Sequence, residues 1–186
     1  MKKIRLLVCK FWYKIIFGVI IFLFAYSHLT SYKISQEMNN FLDQHWFIQL
    51  SEEEYFDYFE ENNFQYGIIE DDLTKIDFYA HIGSGRVEIQ ENRENEYKII
   101  TFENTPDTIT PLFKEMEWQD SLNVVKAKLQ INPLNTRFNS WRKLNTLINY
   151  NENMIVISKG NQSDYQMMLL FDENRALYRI SVICWK

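Results

Sequence analysis

The sequence predicts an α+β protein in which one N-terminal transmembrane helix precedes a mostly antiparallel β-sheet domain with helices on one face. Residues 15–32 contain no Asp, Glu, Lys or Arg, and these 18 residues are enough to cross a hydrocarbon core of about 30 Å as a helix. Beyond residue 33, segments with a helical period are interspersed with runs rich in Ile, Phe, Tyr and Val. Turn-forming residues separate those runs at the spacing of β-hairpins.

The flanks of the apolar segment predict its orientation, because basic flanks stay on the cytoplasmic side of a membrane. The first acidic residue of the chain is Glu37. We therefore expect a single-pass cell-membrane protein with a cytoplasmic segment (1–14), a signal anchor (15–33) and one extracytoplasmic domain (34–186). Five basic residues precede the anchor: Lys2, Lys3, Arg5, Lys10 and Lys14.

Two other interpretations of the N-terminus compete with the uncleaved anchor. Ala25-Tyr26-Ser27 is a small-x-small site that a signal peptidase could cut, so cleavage stays open. A lipoprotein would need a small residue before Cys9, where this chain has Val8, and its apolar stretch follows the cysteine instead of preceding it.

The charge of the domain is strongly uneven. After residue 33 there are 25 acidic and 14 basic residues, a net charge of −11. Residues 52–107 carry 16 acids and 4 cations, net −12, whereas residues 108–186 carry 7 acids and 10 cations, net +3. An acidic domain disfavours nucleic acid as a partner and would speed its encounter with a basic protein surface.

Helices are predicted at four places in the domain. A short helix over 34–43 leaves the membrane, and Ser51 with Glu54 forms a capping box that starts a helix running to about Asn62. Asp120 or Ser121 can cap a third helix that ends before Pro133. A fourth is expected from Asn139 or Ser140, with an apolar stripe of Trp141, Leu144 and Ile148.

Strands are predicted on both sides of the third and fourth helices. The first four cover 65–70, 75–81, 86–90 and 96–102, and the last three cover 154–158, 166–171 and 176–185. Gly83-Ser84-Gly85 lies between two of these runs and lacks the spacing of a nucleophile elbow or a phosphate loop, so it is interpreted as a hairpin turn.

Catalytic and metal-binding patterns are weak in this chain. The histidines His28, His45 and His81 are not at metal-ligand spacing. Cys9 and Cys184 lie on opposite sides of the predicted membrane and cannot pair, and Cys184 is expected to be a small buried hydrophobe. The run 70–72 could bind calcium, although solvated turn acids explain it better, and no cofactor or metal is expected.

A partner-binding surface is predicted within the acidic segment, with an aromatic anchor beside it. Trp118 is the anchor because residues 115–119 (Glu-Met-Glu-Trp-Gln) form a polar setting for an indole. The predicted partner-binding residues are Glu70, Asp71, Asp72, Glu88, Glu91, Glu94 and Trp118.

The whole arrangement resembles the membrane-anchored immunity proteins of bacterial toxin systems, in particular the TipC family of Gram-positive bacteria. Three stretches carry this resemblance: 38–64 with its Phe-Asp-Tyr-Phe run, 101–118, and 141–171. The resemblance implies an inhibitor that protects the producing cell from a secreted LXG-type toxin acting outside the membrane, on the lipid-linked cell-wall precursor. It implies stoichiometric occlusion and no turnover.

Two further hypotheses stay beside the immunity protein. A structural or accessory protein of the cell envelope or of a secretion machine would show the same anchor and domain, and a toxin encoded beside this chain would separate the two. An enzyme would need carboxylates that converge in a cleft, for which Asp71, Asp77 and Glu88 are the candidates.

Overall fold

The computed structural model describes residues 2–71, 75–106, 108–110, 115–131, 146–159 and 165–185. Within these ranges the helices are α1 (Lys2–Gln44), α2 (Trp46–Gln49), α3 (Glu52–Glu61) and α4 (Leu122–Lys128). The strands are β1 (Gln65–Asp71), β2 (Lys75–Ile82), β3 (Gly85–Asn92), β4 (Tyr97–Glu103), β5 (Thr146–Tyr150), β6 (Met154–Lys159), β7 (Tyr165–Phe171) and β8 (Leu177–Trp185).

Helix α1 is a single helix of 43 residues that belongs to two environments. Its part Phe11–Met38 is long and apolar enough to cross a membrane, judged by length and composition. The large apolar side chains from Phe11 to Leu29 are mostly exposed, whereas Thr30 is 2% exposed and Ile34 is 1% exposed. The predicted separate helix over 34–43 is therefore the last part of α1, and the core already begins at Thr30, inside the segment predicted as anchor.

Helices α2 and α3 hold an aromatic cluster against the sheet. The capping box is confirmed: the Ser51 backbone N–H donates to the Glu54 carboxylate at 2.7 Å, and the Ser51 hydroxyl accepts from the Glu54 N–H. The fully buried Phe47 ring lies 5.0 Å from the ring of Tyr55 and 6.1 Å from that of Phe102 on β4. Helix α3 therefore starts where the sequence predicts it and is fixed by these ring contacts.

The eight strands form one antiparallel sheet in the order β1-β2-β3-β4-β8-β7-β6-β5. Consecutive hairpins build each half, and β4 and β8 join the halves through the pair Ile100–Val182. The predicted antiparallel α+β fold is confirmed, with β1 and β5 at the two ends of the strand order. The strand order itself depends on β8 returning to pair with β4, a contact distant in sequence.

One face of the sheet carries the core. A register row crosses seven strands on this face, and each of its side chains is buried because the row lies under the helices. Its members are Phe78, Ile89, Ile100, Val182, Met167, Ile157 and Ile148. We call this the helix face, and the side chains one residue away along each strand point to the opposite face.

The prediction of a helix with Trp141, Leu144 and Ile148 on its stripe is wrong at Ile148. That residue lies in β5 and pairs with Ile157 on β6, while residues 139–145 lie outside the described part of the chain. The Asn153 N–H donates to the Asn151 side chain at 2.8 Å, so an Asx turn closes the β5–β6 hairpin. Because cross-strand pairing buries Ile148, tertiary contact overrides the local helical period here.

Candidate partner-binding surface

The predicted acidic residues lie at several places on the β1–β4 half of the sheet. Glu70 and Asp71 end the edge strand β1, where Glu70 is opposite Asp77 of β2. Asp72 lies outside the described residues, and Glu94 is exposed in the β3–β4 turn. This end of β1 also carries a register shift between Ile68 and Glu70. Acids and a bulge at an edge strand also discourage unwanted strand pairing, which is a structural role for the same residues.

Glu88 and Glu91 belong to opposite faces of β3. Glu88 is opposite Thr101 and makes an ion pair with Arg86 at 3.3 Å, and the Arg86 guanidinium lies over the Tyr79 ring at 5.0 Å. Glu91 is opposite Lys98 on the helix face. The fold thus divides the predicted acidic surface in two, because an odd spacing along a strand always separates two side chains. Asp77 shares the face of Glu88.

Glu91 lines a cleft of about 400 Å³ between the α2–α3 junction and strands β3 and β4. The cleft exists because Ser51 turns the chain into α3 above the end of the β3–β4 hairpin. Its charged lining residues are Glu52, Glu54, Glu91, Arg93 and Lys98. With three carboxylates against two cations, the lining has a net charge of −1.

The charges of the cleft already have partners within the domain. The Lys98 ammonium donates to the Leu50 carbonyl at 2.9 Å and to the Tyr55 hydroxyl at 3.3 Å, which ties β4 to the helices. Arg93 pairs with Glu52 at 2.7 Å. Hydrogen bonds from the Ser51 backbone and side chain lower the pKa of Glu54 from its ordinary value. The cleft therefore holds one solvent-facing ion pair, Arg93–Glu52, that a charged partner could exchange for its own contacts.

A metal or thiolate site would depend on the geometry of the histidines, acids and the cysteine of the described residues. No group of three or more His, Cys, Asp or Glu residues there is placed to hold a metal ion. Burial raises the pKa of the Cys184 thiol to about 11, so a thiolate nucleophile is disfavoured at neutral pH. Cys184 is half-buried on the helix face, opposite Lys98.

The predicted anchor Trp118 has a structural partner. Its indole N–H donates to the Thr105 carbonyl at 2.9 Å, and its half-buried ring packs against the core. This contact joins the residues before α4 to the end of β4, so it explains why an indole occupies a polar stretch. A contact between Trp118 and a partner stays a prediction.

Trp46, the first residue of α2, is more exposed than Trp118. Its side chain is 43% exposed, and its ring lies 5.0 Å from the Tyr58 ring in an edge-on arrangement. The indole N–H reaches the Thr108 carbonyl at 3.4 Å. Large, rigid and partly exposed aromatic rings are typical interface anchors.

The basic residues that predict membrane orientation all lie in the first part of α1. Lys14 is exposed, and the side chains of Lys2, Lys3, Arg5 and Lys10 are outside the described set. Orientation across the membrane therefore stays a prediction from the flanking charges.

Comparison with known proteins does not narrow the choice of partner. No family model, no curated protein and no solved structure matches this chain.

Proposed function

We propose that this protein is a membrane-anchored immunity protein whose α+β domain binds a secreted antibacterial toxin outside the membrane and occludes it. One observation carries the proposal. Helix α1 contains the candidate membrane span and, with Thr30, Ile34 and Met38, part of the domain core. A binding domain built onto its own anchor stays at the membrane surface, where a toxin directed at a lipid-linked precursor would act.

The charge distribution suits capture of a basic toxin surface. The segment 52–107, with a net charge of −12, forms α3 and β1–β4 and includes the cleft at Glu91. Complementary charge raises association rates, and a tether raises the effective concentration of the inhibitor where the toxin arrives. Trp46 supplies an aromatic contact beside that half of the domain. Occlusion of this kind needs binding and no catalytic group.

The test uses the full-length protein in nanodiscs, since removing α1 would remove part of the core. The nanodisc-bound protein is used to capture partners from native membranes and culture supernatant at low and moderate salt. We expect one basic, secreted protein in stoichiometric amount, with capture that weakens as salt rises. Recovery of resident envelope proteins instead would favour the accessory-protein hypothesis.

Charge reversal then tests the surface with the captured protein. We expect Glu91→Lys and Glu94→Lys each to slow association several-fold and to reduce its salt dependence. Glu152→Lys is the matched control, because Glu152 is 73% exposed in the β5–β6 turn of the other half of the sheet. Equal effects at all three sites would contradict the proposed surface.

A further inference from the structure

We infer that the sheet stands on edge over an anionic lipid surface, with β5 next to the headgroups and β1 on the side facing away. The inference rests on the membrane anchoring proposed above, and it defines which surface of the domain meets lipid. Its first support is that α1 leaves no spacer between span and core. The exposed apolar part from Phe11 to Leu29 rises about 28 Å as a helix, close to a hydrocarbon thickness of about 30 Å.

The core begins immediately above that span. Thr30 is buried and its hydroxyl donates to the Tyr26 carbonyl at 3.1 Å, which keeps α1 helical at this point. Ile34, one turn later, is part of the core cluster. Because the helix is continuous through both residues, the domain lies directly on the headgroup layer with its orientation fixed by α1.

The second support is the direction in which the chain crosses the sheet. Helix α1 contacts β5, and directly after its end the His45 ring lies 5.8 Å from the Phe102 ring on β4. Strands β6, β7 and β8 lie between, so β5 and β4 are about 19 Å apart at 4.8 Å per strand. The helix rises about 16 Å from Ile34 to His45. These lengths are similar, as expected for a helix that crosses the strands and does not run along them.

The same direction continues beyond α1. In α3 the Tyr55 ring lies 5.6 Å from Phe78 on β2, and the Phe59 ring lies 5.8 Å from Tyr66 on β1. The chain thus moves from β5 to β1 as it leaves the membrane. Seven strand spacings amount to about 34 Å before twist shortens them, which sets the largest height of β1 above β5.

The third support is charge, which is independent of the helix geometry. The described residues of β5–β8 and their turns (146–159 and 165–185) carry three basic and three acidic residues, a net charge of zero, whereas residues 52–107, which include α3 and β1–β4, have −12. Anionic phospholipid attracts basic segments and repels acidic ones within a Debye length. An edge-on sheet with β5 below places the neutral half of the sheet next to the lipid and keeps the acidic half away from it, free for a soluble partner.

The experiment measures height above the membrane in the full chain. Cys9→Ser and Cys184→Ser give a background in which Asn149→Cys on β5 or Gln65→Cys on β1 is labelled with a fluorescent donor. Both residues are exposed on the face opposite the helix face. They lie at nearly the same position along their strands, within two residues of one register row. Each variant is placed in nanodiscs of phosphatidylcholine and phosphatidylglycerol whose headgroups carry an acceptor dye.

We expect energy transfer from position 149 to exceed that from position 65 about two-fold or more, given a height difference approaching 34 Å. The turn variants Glu152→Cys and Ser84→Cys, at the same end of the strands, should repeat this order. Equal or reversed transfer from protein that co-elutes with nanodiscs would overturn the edge-on orientation alone. Failure of the folded protein to enter nanodiscs would overturn the anchoring and with it the proposed function.

Discussion

Acidification from pH 7 to pH 5 should destabilise the folded domain, because the buried His45 must stay neutral. Its side chain is 1% exposed and lies between Phe41, at 5.4 Å between ring centroids, and Phe102, at 5.8 Å. Neither ring nitrogen has a hydrogen-bond partner among the described residues. Burial lowers the pKa of His45 from 6.5 to about 4, and the backbone groups of His45 and Ile109 offset only part of this effect.

The direction of the pH effect follows from which state binds the proton. Between pH 6.5 and pH 4 the unfolded chain holds a proton on His45 and the folded chain does not, so acid favours unfolding. At 1.36 kcal/mol per pKa unit, the free energy of unfolding falls by about 2 kcal/mol from pH 7 to pH 5, and by about 3 kcal/mol in total below pH 4. The stability is fully present above pH 6.5 and is lost as the pH falls through this window.

The assay is urea unfolding of the full chain in detergent micelles, followed by tryptophan fluorescence at several values from pH 5 to pH 7. His45→Phe should remove most of the pH dependence and keep or raise stability at pH 7, since no buried nitrogen is left without a partner. His81→Gln is the control, because His81 is exposed on β2 and should leave the pH dependence unchanged. The reasoning would be refuted if the wild-type protein were equally stable at pH 5 and pH 7. It would also be refuted if His45→Phe lost as much free energy of unfolding on acidification as the wild type.

Three further predictions concern stability and use the same unfolding assay. Gly85→Ala should cost about 2–3 kcal/mol, because its Cβ would lie 2.6 Å from the Glu103 carbonyl oxygen, whereas Gly83→Ala, at φ +62° but in open space, should cost about 1–2 kcal/mol. If Gly83→Ala proved the more damaging, the close approach of β3 to the end of β4 would be wrong. Ser51→Ala should cost about 1 kcal/mol by removing the cap of α3, and an unchanged midpoint would show that the capping box contributes nothing. Phe47→Ala should cost about 3–5 kcal/mol because the ring is fully buried, and Trp46→Ala clearly less. Similar losses for both would contradict the placement of α2.

Local patterns predict those parts of the fold that depend on neighbouring residues. The capping box needs only Ser51 and Glu54 three positions apart, and the turn at Gly83 needs only a residue that tolerates positive φ. Strands β1 to β4 follow in sequence as hairpins, so short-range signals place them to within a few residues. Because side chains alternate between the two faces along β3, the sequence already implied that Glu88 and Glu91 lie on opposite faces of the sheet. The charge pattern alone had suggested a single surface.

Local sequence patterns did not predict the parts of the fold that depend on contacts between segments distant in sequence. Trp118 occupies a polar stretch because the Thr105 carbonyl accepts its N–H. The cleft beside Lys98 exists because the α2–α3 junction folds over the β3–β4 hairpin. Each depends on packing between separate segments, and nothing in the local sequence of either segment indicates that the two are in contact.

By itself, the sequence determined a candidate membrane helix, an antiparallel α+β domain and an uneven charge, since length, period and composition are local properties. Tertiary structure decided that Thr30 and Ile34 of the same helix belong to the core, and that β8 pairs with β4. It also decided where the acidic charge lies, because residues 52–107 form α3 and β1–β4, one half of the sheet. Burial and strand pairing are contacts of the whole chain, so only the folded molecule fixes them.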